Sequence, residues 1–365
     1  MNGGNGGVIL SCMLYAIFSD MHGNYPALRA ALTDAQASGA EIYLFLGDYV
    51  RDFPWPNETV EAIRNIGNHI AIAGNNEGYL AELYRQTNGA TAHERGECTP
   101  AENAAPIEPN AASADRSRLL GRRDAPATHR IDWTREQFRP IYWNYNGLTR
   151  GNRDYLLSLP RVAEIRDGGY TIRMSHSLDA IIRTPKIPPF SSSGFRRLIG
   201  NKPITRAEYL ILAREALLAR EDAMRDIGAM DKGVYLFGHN HMQFHMECEG
   251  KLIINPGSCG VALDGDVGAA YTLLDVRGGG WSVTERRVPY DTGAAAAGLN
   301  GPAYAEQMPA WARAALRQLE TGLDHTGPLV RHVMKTGRMH GETIMPVSDD
   351  VFRIAADTWD PDEIL

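Results

Sequence analysis

Cysteine is scarce in the sequence, and long hydrophobic runs are absent from it. The four cysteines among 365 residues are scattered, with no Cys-x-x-Cys pair. This spacing argues against a disulfide framework and favours free thiols in a reducing compartment. The apolar stretch at residues 8–18 is shorter than the roughly 20 residues that span a membrane, and residues 1–7 lack the basic groups of a secretory signal. We therefore expect a cytoplasmic protein without a membrane partner.

Positive charge is also in short supply. The 37 Lys and Arg residues are outnumbered by 44 Asp and Glu residues, which gives a net charge of −7 at pH 7. Such a chain has no general attraction to nucleic acids, so we expect no stable nucleic-acid partner. Its content of 44% hydrophobic and 22% charged residues is typical of a globular protein with a large core.

Strand-like and helix-like segments alternate in the first third of the chain. Apolar runs at residues 14–20, 41–48 and 69–75 predict buried strands, and periodic segments at 25–39 and 57–67 predict helices. A βαβαβ order of this kind predicts parallel strands that are joined by right-handed crossovers.

The rest of the chain contains further strands and helices. A hairpin is expected at residues 161–176, and mostly antiparallel strands are expected between 233 and 288. Periodic segments predict helices at 133–146, at 205–228 and in the tail beyond residue 292.

These segments suggest a division of the chain. Residues 1–12 would be a flexible extension, 13–291 one domain, and 292–365 a helical extension packed on the core. The domain would carry two insertions, at about 88–132 and about 178–232, where the composition shifts towards Ala, Pro and Ser. We expect the first insertion to be a long loop and the second to end in a helix.

Polar side chains stand at the ends of the predicted strands. Each alone has an ordinary explanation, such as a helix cap, a turn or a buried histidine. Together they indicate a ligand site, because the carboxyl ends of parallel strands meet at one edge of a sheet. The seven residues are Asp20, His22, Asp48, Asn75, His176, His239 and His241.

This set of side chains is suited to metal binding. Two carboxylates, four imidazoles and one amide oxygen favour Mn, Fe, Zn or Ni over Ca or Mg. Seven ligands exceed the needs of one tetrahedral site, whereas two ions that share a bridging carboxylate would use them all. The Asp-x-His and His-x-His pairs would present both members to one side if their backbone is extended.

The motifs also resemble a known family. In order, "SDMHGN", "LGDYV", "AGNNEG", "SHS" and "FGHNH" resemble the calcineurin-like metallophosphoesterase superfamily. The stretch "LIINPGSCGVALDGDVGAAYTLLDV" is similar to the end of its bacterial phosphodiesterase-type branch. The resemblance covers roughly residues 13–290 apart from the two insertions. It implies an α/β fold of four layers, αββα, in which two mixed β-sheets are flanked by helices.

The resemblance implies a ligand set and a reaction. The first ion would be bound by Asp20, His22, Asp48 and His241. The second would be bound by Asp48, Asn75, His176 and His239, with Asp48 as the bridge. The implied activity is that of a dinuclear metal-dependent phosphoesterase, in which a metal-bridging hydroxide attacks a phosphomonoester, a phosphodiester or a nucleotide polyphosphate in line. The predicted catalytic residues are Asp48, Asn76 and His239. The alternative is a catalytically weak metal-binding scaffold or protein-interaction module with the same fold.

Two positions depart from the family pattern. Asn76 replaces a histidine that stands beside the leaving group in the pattern G-N-H-D or G-N-H-E. Asparagine can hold a phosphate oxygen but cannot act as a general acid, so good leaving groups would be favoured unless an insertion supplies an acid. Ser177 stands where close relatives often have glycine. Glu77 fits the pattern and is expected to orient a neighbouring group, while Gly74 is expected to allow a tight turn.

The second insertion is locally basic. Residues 179–206 contain six Lys or Arg residues and one Asp. A solvated charged face accounts for such a segment, and so does a rim that gathers an anionic substrate. On the second interpretation, Arg183 and Arg196 would bind substrate together with Asn76. The expected partner is a small phosphorylated substrate, with nucleotides among the candidates, and homo-oligomerisation stays open.

Overall fold

The computed structural model of the protein describes most of the chain. The described residues are 13–95, 131–167, 170–182, 187–190, 204–276 and 280–362, and for residues 89–95 and 188 the backbone alone is described. The predicted flexible extension at residues 1–12 lies outside them, as does most of the first predicted insertion.

Ten strands form two mixed five-stranded sheets within the described residues. The strands are β1 (Met13–Phe18), β2 (Ile42–Phe45), β3 (His69–Ala71), β4 (Val162–Asp167), β5 (Tyr170–Ser175), β6 (Gly233–Leu236), β7 (Gln243–Cys248), β8 (Lys251–Pro256), β9 (Ala269–Val276) and β10 (Ser282–Val288). The first sheet has the order β10-β9-β1-β2-β3, and the second has the order β4-β5-β6-β8-β7.

Twelve α-helices surround these sheets in the described part of the chain. They are α1 (Tyr25–Ala37), α2 (Pro56–Arg64), α3 (Asn75–Arg95), α4 (Arg139–Gly147), α5 (Arg150–Ser158), α6 (Arg206–Leu218), α7 (Glu221–Ala229), α8 (Thr292–Leu299), α9 (Pro302–Ala305), α10 (Pro309–Thr321), α11 (Thr326–Met339) and α12 (Asp349–Thr358). None of these described helices combines the length and the apolar character that crossing a bilayer requires.

The first sheet contains the βαβαβ unit that the sequence predicts. Strand β1 pairs in parallel with β2, which pairs in parallel with β3, and α1 and α2 make the crossovers. Strand β9 then adds to the free edge of β1 in antiparallel orientation, and β10 continues the sheet beyond it. The parallel strands therefore end at one edge of the sheet, where ligand sites form in α/β folds.

Side chains alternate between the two faces of β1, which gives the sheet two apolar surfaces. Tyr15 and Ile17 belong to the buried layer between the two sheets. Phe18 points to the outer face, where its ring lies 5.3 Å from that of Phe45 and 5.1 Å from that of Tyr271. Full burial of such a side chain contributes about 1.5–3 kcal/mol. Helices α1, α2, α4 and α5 cover this outer layer.

The second sheet is covered in the same way. Val234 and Leu236 of β6 face the layer between the sheets, whereas Tyr235 faces outwards. Helices α6 and α7 cover the outer face of this sheet through an apolar cluster that includes Leu217 and Ile227. The order of layers is helix, sheet, sheet, helix, so the predicted four-layer αββα fold is confirmed.

The strands after residue 233 form mostly antiparallel pairs, as the sequence predicts, and β6 is the exception. Strand β6 pairs in parallel with both β5 and β8, whereas β7, β9 and β10 form the antiparallel pairs. The physical reason is the helical crossover through α6 and α7, which returns the chain to the starting end of the sheet before β6 begins.

Several helix boundaries differ from the prediction. Two helices replace the single one expected at 205–228, because Arg220 between them has extended backbone (φ −110, ψ 97). Helix α4 starts at Arg139, since Pro140 suits the first turn of a helix and disfavours an earlier start. Helix α3 continues to Arg95, past residue 88 where the loop-like insertion was expected to begin.

The C-terminal helices pack against loops of the two sheets. An apolar cluster built mainly from α8 to α12 also includes three loop residues, namely Phe53, Val261 and Leu263. The Trp143 ring of α4 also meets the Tyr304 ring of α9, with 5.4 Å between the ring centres. The loops that Phe53 and Val261 belong to are therefore covered from the outside by the end of the chain.

Candidate metal centre

The seven predicted ligands follow the carboxyl ends of five strands. Asp20 and His22 follow β1, Asp48 follows β2, and Asn75 is the first residue of α3 after β3. His176 follows β5, and the pair His239 and His241 follows β6. Strands β1, β2 and β3 are mutually parallel, as are β5 and β6. The structure brings all seven side chains together where the ends of the two sheets meet.

The first group of side chains surrounds Asp20. Its Oδ1 lies 3.4 Å from Nε2 of His241 and 3.8 Å from Nε2 of His22. Nε2 of His22 is also 3.8 Å from Oδ2 of Asp48. Asp20, His22 and His241 form one of two candidate metal-binding clusters among the described residues.

The second group surrounds Asn75. Its side-chain oxygen Oδ1 lies 3.0 Å from Nε2 of His176 and 2.9 Å from Nδ1 of His239. Nε2 of His176 is 3.5 Å from Oδ2 of Asp48 and 4.0 Å from Oδ1 of Asp20. Asp20, Asp48 and His176 form the second candidate cluster. The carboxylates of Asp20 and Asp48 thus each lie within 4.0 Å of a histidine in both groups.

The backbone at these positions is unusual. The condition under which the Asp-x-His and His-x-His pairs would face one side, an extended backbone, is not met. Left-handed φ angles occur at five of the seven residues, namely Asp20 (54°), His22 (52°), Asp48 (57°), His239 (71°) and His241 (62°). Non-glycine residues rarely adopt this conformation, which costs about 1–3 kcal/mol each and is concentrated at functional sites.

Glycines allow the ligand loops to approach one another. A Cβ atom on Gly74 would lie 2.2 Å from Oδ1 of Asp48, and one on Gly238 would lie 1.9 Å from Oγ of Ser19. Both distances are far below van der Waals contact. Gly74 is therefore required for close packing against Asp48, and its role in a tight turn stays a prediction.

Glu77 fixes two of the ligand loops from behind. Its carboxylate accepts hydrogen bonds from the backbone N–H groups of Asp48 (2.9 Å), Tyr49 (3.0 Å) and Gly74 (2.8 Å). Burial and the nearby charge of Asp48 raise the pKa of Glu77 to about 7, against the lowering effect of these N–H groups. Glu77 therefore orients the loops around Asp48, as the sequence predicts.

Backbone carbonyls set the orientation of two histidines, and a carboxylate contact sets that of a third. Nδ1 of His176 lies 2.8 Å from the carbonyl of Leu46, and Nδ1 of His241 lies 2.7 Å from the carbonyl of Val261. Nδ1 of His22 lies 2.6 Å from Oδ2 of Asp52. In each case Nε2 is directed to the centre, which is the usual arrangement of a metal-binding histidine.

Asp52 was missed by the sequence analysis. It is buried, and its carboxylate also lies 3.7 Å from Nε of Arg51. The only signal in the sequence is an acidic residue four positions after Asp48, and many acidic residues at that distance are solvated. Its contact with His22 depends on the tertiary structure.

The pKa values of the histidines show the excess of negative charge. Burial lowers the pKa of His22, but Asp52 and the other carboxylates outweigh it and raise the pKa to about 10. Burial is likewise outweighed at His176, where Asp48 and Asp20 raise the pKa to about 9. At these two positions the carboxylates favour a positive charge strongly.

The same charge balance holds the two central carboxyl groups ionised. Burial raises the pKa of Asp48, yet His176 and His22 lower it to about 2. Burial also raises the pKa of Asp20, but His241, His22 and His176 together hold it well below its usual range. His239 is different, because burial and the neighbouring His176 lower its pKa to about 4.

Unpaired buried atoms show that these residues fit a metal ion. Oδ1 of Asp20 and Nε2 of His22 are inaccessible to solvent and have no hydrogen-bond partner within the described residues. Leaving such atoms unpaired costs free energy, and a cation would satisfy both at once. Binding would require the imidazoles to be neutral, so the ions would take the place of protons.

Asn76 is buried beside the two groups. Its backbone N–H donates to Oδ1 of Asp48 (2.9 Å), and its side-chain oxygen accepts from Nδ2 of Asn75 (3.2 Å). Its own Nδ2 is buried and finds no acceptor among the described residues. The other predicted substrate contacts, Arg183 and Arg196, lie outside the described residues.

Comparisons with known proteins show the family and the fold. The family model for calcineurin-like phosphoesterases matches residues 13–243. A sequence relative, "Uncharacterized protein MJ0912" of Methanocaldococcus jannaschii, is 24% identical over 294 residues, which cover 76% of this chain and 88% of the relative.

Two solved structures show the same fold. The metallophosphoesterase from Sphaerobacter thermophilus has a TM-score of 0.50 and 22% identity, covering 86% of this chain and 100% of its own. The hypothetical protein PH1004 from Pyrococcus horikoshii OT3 has a TM-score of 0.52 and 19% identity, covering 86% of this chain and 99% of its own.

The family match covers well over half of the chain, and the predicted resemblance is confirmed. The chain belongs to the calcineurin-like phosphoesterase family and is a metal-dependent phosphoric ester hydrolase.

Proposed function

We propose that the protein is a dinuclear metal-dependent phosphoesterase. The observation that carries the proposal is the pair of adjoining clusters around Asp20 and Asp48, with buried ligand atoms left unpaired. The first ion would be held by Asp20, His22, Asp48 and His241, and the second by Asp48, Asn75, His176 and His239. When bound, two such cations supply a hydroxide nucleophile near neutral pH and neutralise charge on the phosphoryl oxygens.

The residues of the chain have distinct roles in this proposal. Asp48 lies between His22 and His176 and would hold the two ions together. The unpaired Nδ2 of Asn76 would donate a hydrogen bond to a phosphoryl oxygen, because it is buried and lacks an acceptor. His239 would bind metal through Nδ1, which faces Asn75.

The missing acid at Asn76 points to the class of substrate. An amide has no titratable proton near pH 7, so the departing oxygen would receive no proton from this residue. Esters with good leaving groups, such as aryl esters and phosphoanhydrides, would then be hydrolysed best. Nucleotide polyphosphates fit this description and are our first candidates, with phosphomonoesters and phosphodiesters to be tested beside them.

Several finer points belong to the same proposal. Manganese, iron, zinc and nickel all suit a set of imidazole and oxygen ligands. Arg183 and Arg196 are proposed to contact the substrate from the second insertion. A cytoplasmic location and the domain boundaries at residues 12 and 291 remain predictions from the sequence, and homo-oligomerisation stays open.

A hydrolysis screen with a matched variant tests the proposal. Metal-depleted protein is supplied with Mn²⁺, and hydrolysis of aryl monoesters, aryl diesters and nucleotides is measured together with metal content. Asp48→Asn should fold, bind fewer than two ions and lose at least about 100-fold in kcat/KM, since electrostatic stabilisation by such groups typically contributes that much or more. Asp154→Asn, on the exposed face of α5, is the control and should match the wild type.

Two outcomes would contradict the proposal. A wild-type rate in Asp48→Asn with one ion bound would exclude the two-metal mechanism. Two tightly bound ions without hydrolysis of any phosphoester would instead favour the scaffold alternative.

A further inference from the structure

Asp52 and its neighbour are tied closely to the metal ligand His22. Besides the 2.6 Å contact between Oδ2 of Asp52 and Nδ1 of His22, two backbone hydrogen bonds join the segments. The N–H groups of Asp52 (3.1 Å) and Phe53 (2.9 Å) both donate to the carbonyl of His22. A displacement of the loop at residues 51–53 would therefore move the His22 ring.

This loop is held in place by the C-terminal part of the chain. The hydroxyl of Tyr304, in α9, donates a 2.7 Å hydrogen bond to the carbonyl of Asp52. Tyr304 is 1% exposed, so the bond is shielded from water. Phe53 is buried in the apolar cluster of the C-terminal helices.

Tyr304 is itself fixed by α4. The Trp143 ring lies edge-on to the Tyr304 ring, and Nε1 of Trp143 donates to the carbonyl of Ala303 (3.3 Å). From the same helix, Nδ2 of Asn144 donates to the carbonyl of Arg51 (3.0 Å). The hydroxyl of Tyr304 and the amide of Asn144 thus hold two consecutive carbonyls of the loop.

The second histidine of the first cluster depends on the same helices. Nδ1 of His241 is bound to the carbonyl of Val261, and Val261 lies in the C-terminal apolar cluster. A backbone hydrogen bond from Gly265 to the carbonyl of Gly322 (2.9 Å) ties this loop to the end of α10. The orientation of both His22 and His241 therefore depends on contacts with the end of the chain.

The second group of side chains, around Asn75, is positioned differently. Nδ1 of His176 is bound to the carbonyl of Leu46, which directly follows the core strand β2. His239 contacts Asn75, at the start of α3. These contacts involve the two central sheets and α3.

We propose that the C-terminal helices form the outer support of the first metal site, with Tyr304 as a positioning residue that acts on His22 through Asp52. The inference rests on the proposed dinuclear function, in which Asp20, His22 and His241 bind one of the two ions. On this proposal the C-terminal helices help the first site, and not the second, to retain its ion. Variants that loosen their hold on the loop weaken the first site and leave the second unchanged.

Calorimetric titration of the metal-depleted full chain with Mn²⁺ tests the proposal. Tyr304→Phe removes the hydroxyl and keeps the ring in place. Loss of a group that orients a metal ligand directly typically costs 10–100-fold in affinity, and Tyr304 acts one layer further out, so about threefold to tenfold is expected. This loss should appear in one of the two binding events, and the other should stay within about twofold of the wild type.

Tyr235→Phe is the matched control. Tyr235 is buried, and its hydroxyl also donates to a backbone carbonyl, that of Asp231 (2.8 Å), but on the outer face of the second sheet. This variant should lose comparable thermal stability without a change in either metal affinity. Equal losses of affinity in the two variants, or none in Tyr304→Phe, would overturn the proposal.

A double-mutant cycle separates positioning from a general loss of stability. If Tyr304 acts through Asp52, then Tyr304→Phe should have a smaller effect on metal affinity in an Asp52→Ala background, where only the backbone bonds to His22 remain. Full additivity would overturn the proposed route. Trp143→Phe, which removes the bond to Ala303 and keeps a ring beside Tyr304, provides a second variant and should weaken the same site to a smaller extent.

These results are distinguishable from a failure of the proposed function. A wild-type chain that binds fewer than two ions would refute the dinuclear centre. Two binding events in the wild type, both unchanged in Tyr304→Phe, would refute only the role of the C-terminal helices.

Discussion

Individual residues of the centre are held in conformations that they do not favour. Left-handed backbone at five non-glycine positions costs about 1–3 kcal/mol each, and the surrounding hydrogen bonds must offset this cost. Glu77 accepts three of those hydrogen bonds from backbone N–H groups in the loops of Asp48 and Gly74. The ligand side chains are consequently placed by the fold itself, so little rearrangement should accompany metal binding.

Asn76 provides a test at the scale of one side chain. Asn76→Ala removes the unpaired Nδ2 donor while the backbone bond to Asp48 remains. A hydrogen bond to a charged oxygen is worth about 1.5–3 kcal/mol, so kcat/KM for any accepted phosphoester should fall about 10–100-fold. Asn146→Ala, at an exposed position of α4, should leave kcat/KM unchanged. Equal rates in both variants would remove Asn76 from the substrate contacts.

Asn76→His tests the role of the missing acid. An imidazole at this position would offer a proton to the leaving group, although the nearby cations would lower its pKa from about 6.5. We expect a gain of about tenfold on alkyl diesters and little change on nitrophenyl esters, as measured by kcat/KM across a series of leaving groups. Parallel changes along the series would show that residue 76 does not face the leaving group.

The ligand residues were more accessible to sequence reasoning than their supports. Each predicted ligand stands in a short motif at a strand end, and that local pattern is sufficient to find it. Asp52, Val261 and Tyr304 carry no such pattern, because their roles come from contacts between segments distant along the chain. The left-handed φ angles were also missed, since nothing in an Asp-x-His pair indicates them.

At the scale of elements, one ion pair joins the outer helix layer to the first sheet. Asp34 of α1 accepts from Nε (3.0 Å) and Nη2 (2.7 Å) of Arg286 in β10, and from the hydroxyl of Tyr271 (2.5 Å) in β9. Hydrogen bonding to Arg286 lowers the pKa of Asp34. A carboxyl group with a lowered pKa in the folded state stabilises the protein when it is ionised.

The pH dependence of this contribution has a definite sign. It is fully present above the unfolded-state pKa of about 3.9 and is lost as the pH falls through the lower folded-state pKa. Asp34→Asn should therefore lower the free energy of unfolding by about 1 kcal/mol at pH 7, a value limited by partial exposure of the pair. The difference from the wild type should shrink below about pH 4.

Urea unfolding at pH 7 and at several values below pH 4 would measure this difference. Asp154→Asn, which removes a carboxylate from an exposed pair with Arg150, serves as the control and should have a smaller effect at every pH. A pH-independent loss in Asp34→Asn would show that the carboxylate acts through packing or neutral hydrogen bonds instead.

The errors at this scale also have physical causes. The βαβαβ order was predictable because hydrophobic runs and helix periodicity alternate clearly before residue 75. The direction of β6 was not predictable, because it is set by the crossover through α6 and α7 rather than by the strand's own residues. The break at Arg220 was missed because the segment around it contains strong helix formers, and residues of both helices then pack into one apolar cluster on the second sheet.

The whole molecule brings three parts of the chain to one centre. The first sheet supplies Asp20, His22, Asp48 and Asn75, and the second sheet supplies His176, His239 and His241. The C-terminal helices cover the loops behind His22 and His241. Because the proposed ligands come from both sheets, a bound ion would join layers that are otherwise held by apolar packing and by side-chain hydrogen bonds such as that from the Tyr15 hydroxyl to Asp167 (2.8 Å). Metal binding should therefore be linked to the stability of the entire fold.

Metal removal tests this linkage on the whole molecule. Depletion with a chelator removes the cations that the buried carboxylates would bind, so the thermal midpoint should fall, and added Mn²⁺ should restore it. An ion at a free concentration of 100 times its dissociation constant adds about 2.7 kcal/mol per site if it does not bind the unfolded chain. Calorimetry should thus show a rise of several degrees with Mn²⁺ and a smaller one with Ca²⁺, which the imidazole ligands suit less well. Asp48→Asn should lose most of the response, and Asp154→Asn should keep it. A wild-type thermal midpoint that does not change with Mn²⁺, or a midpoint that rises equally in Asp48→Asn, would contradict a metal centre that joins the two sheets.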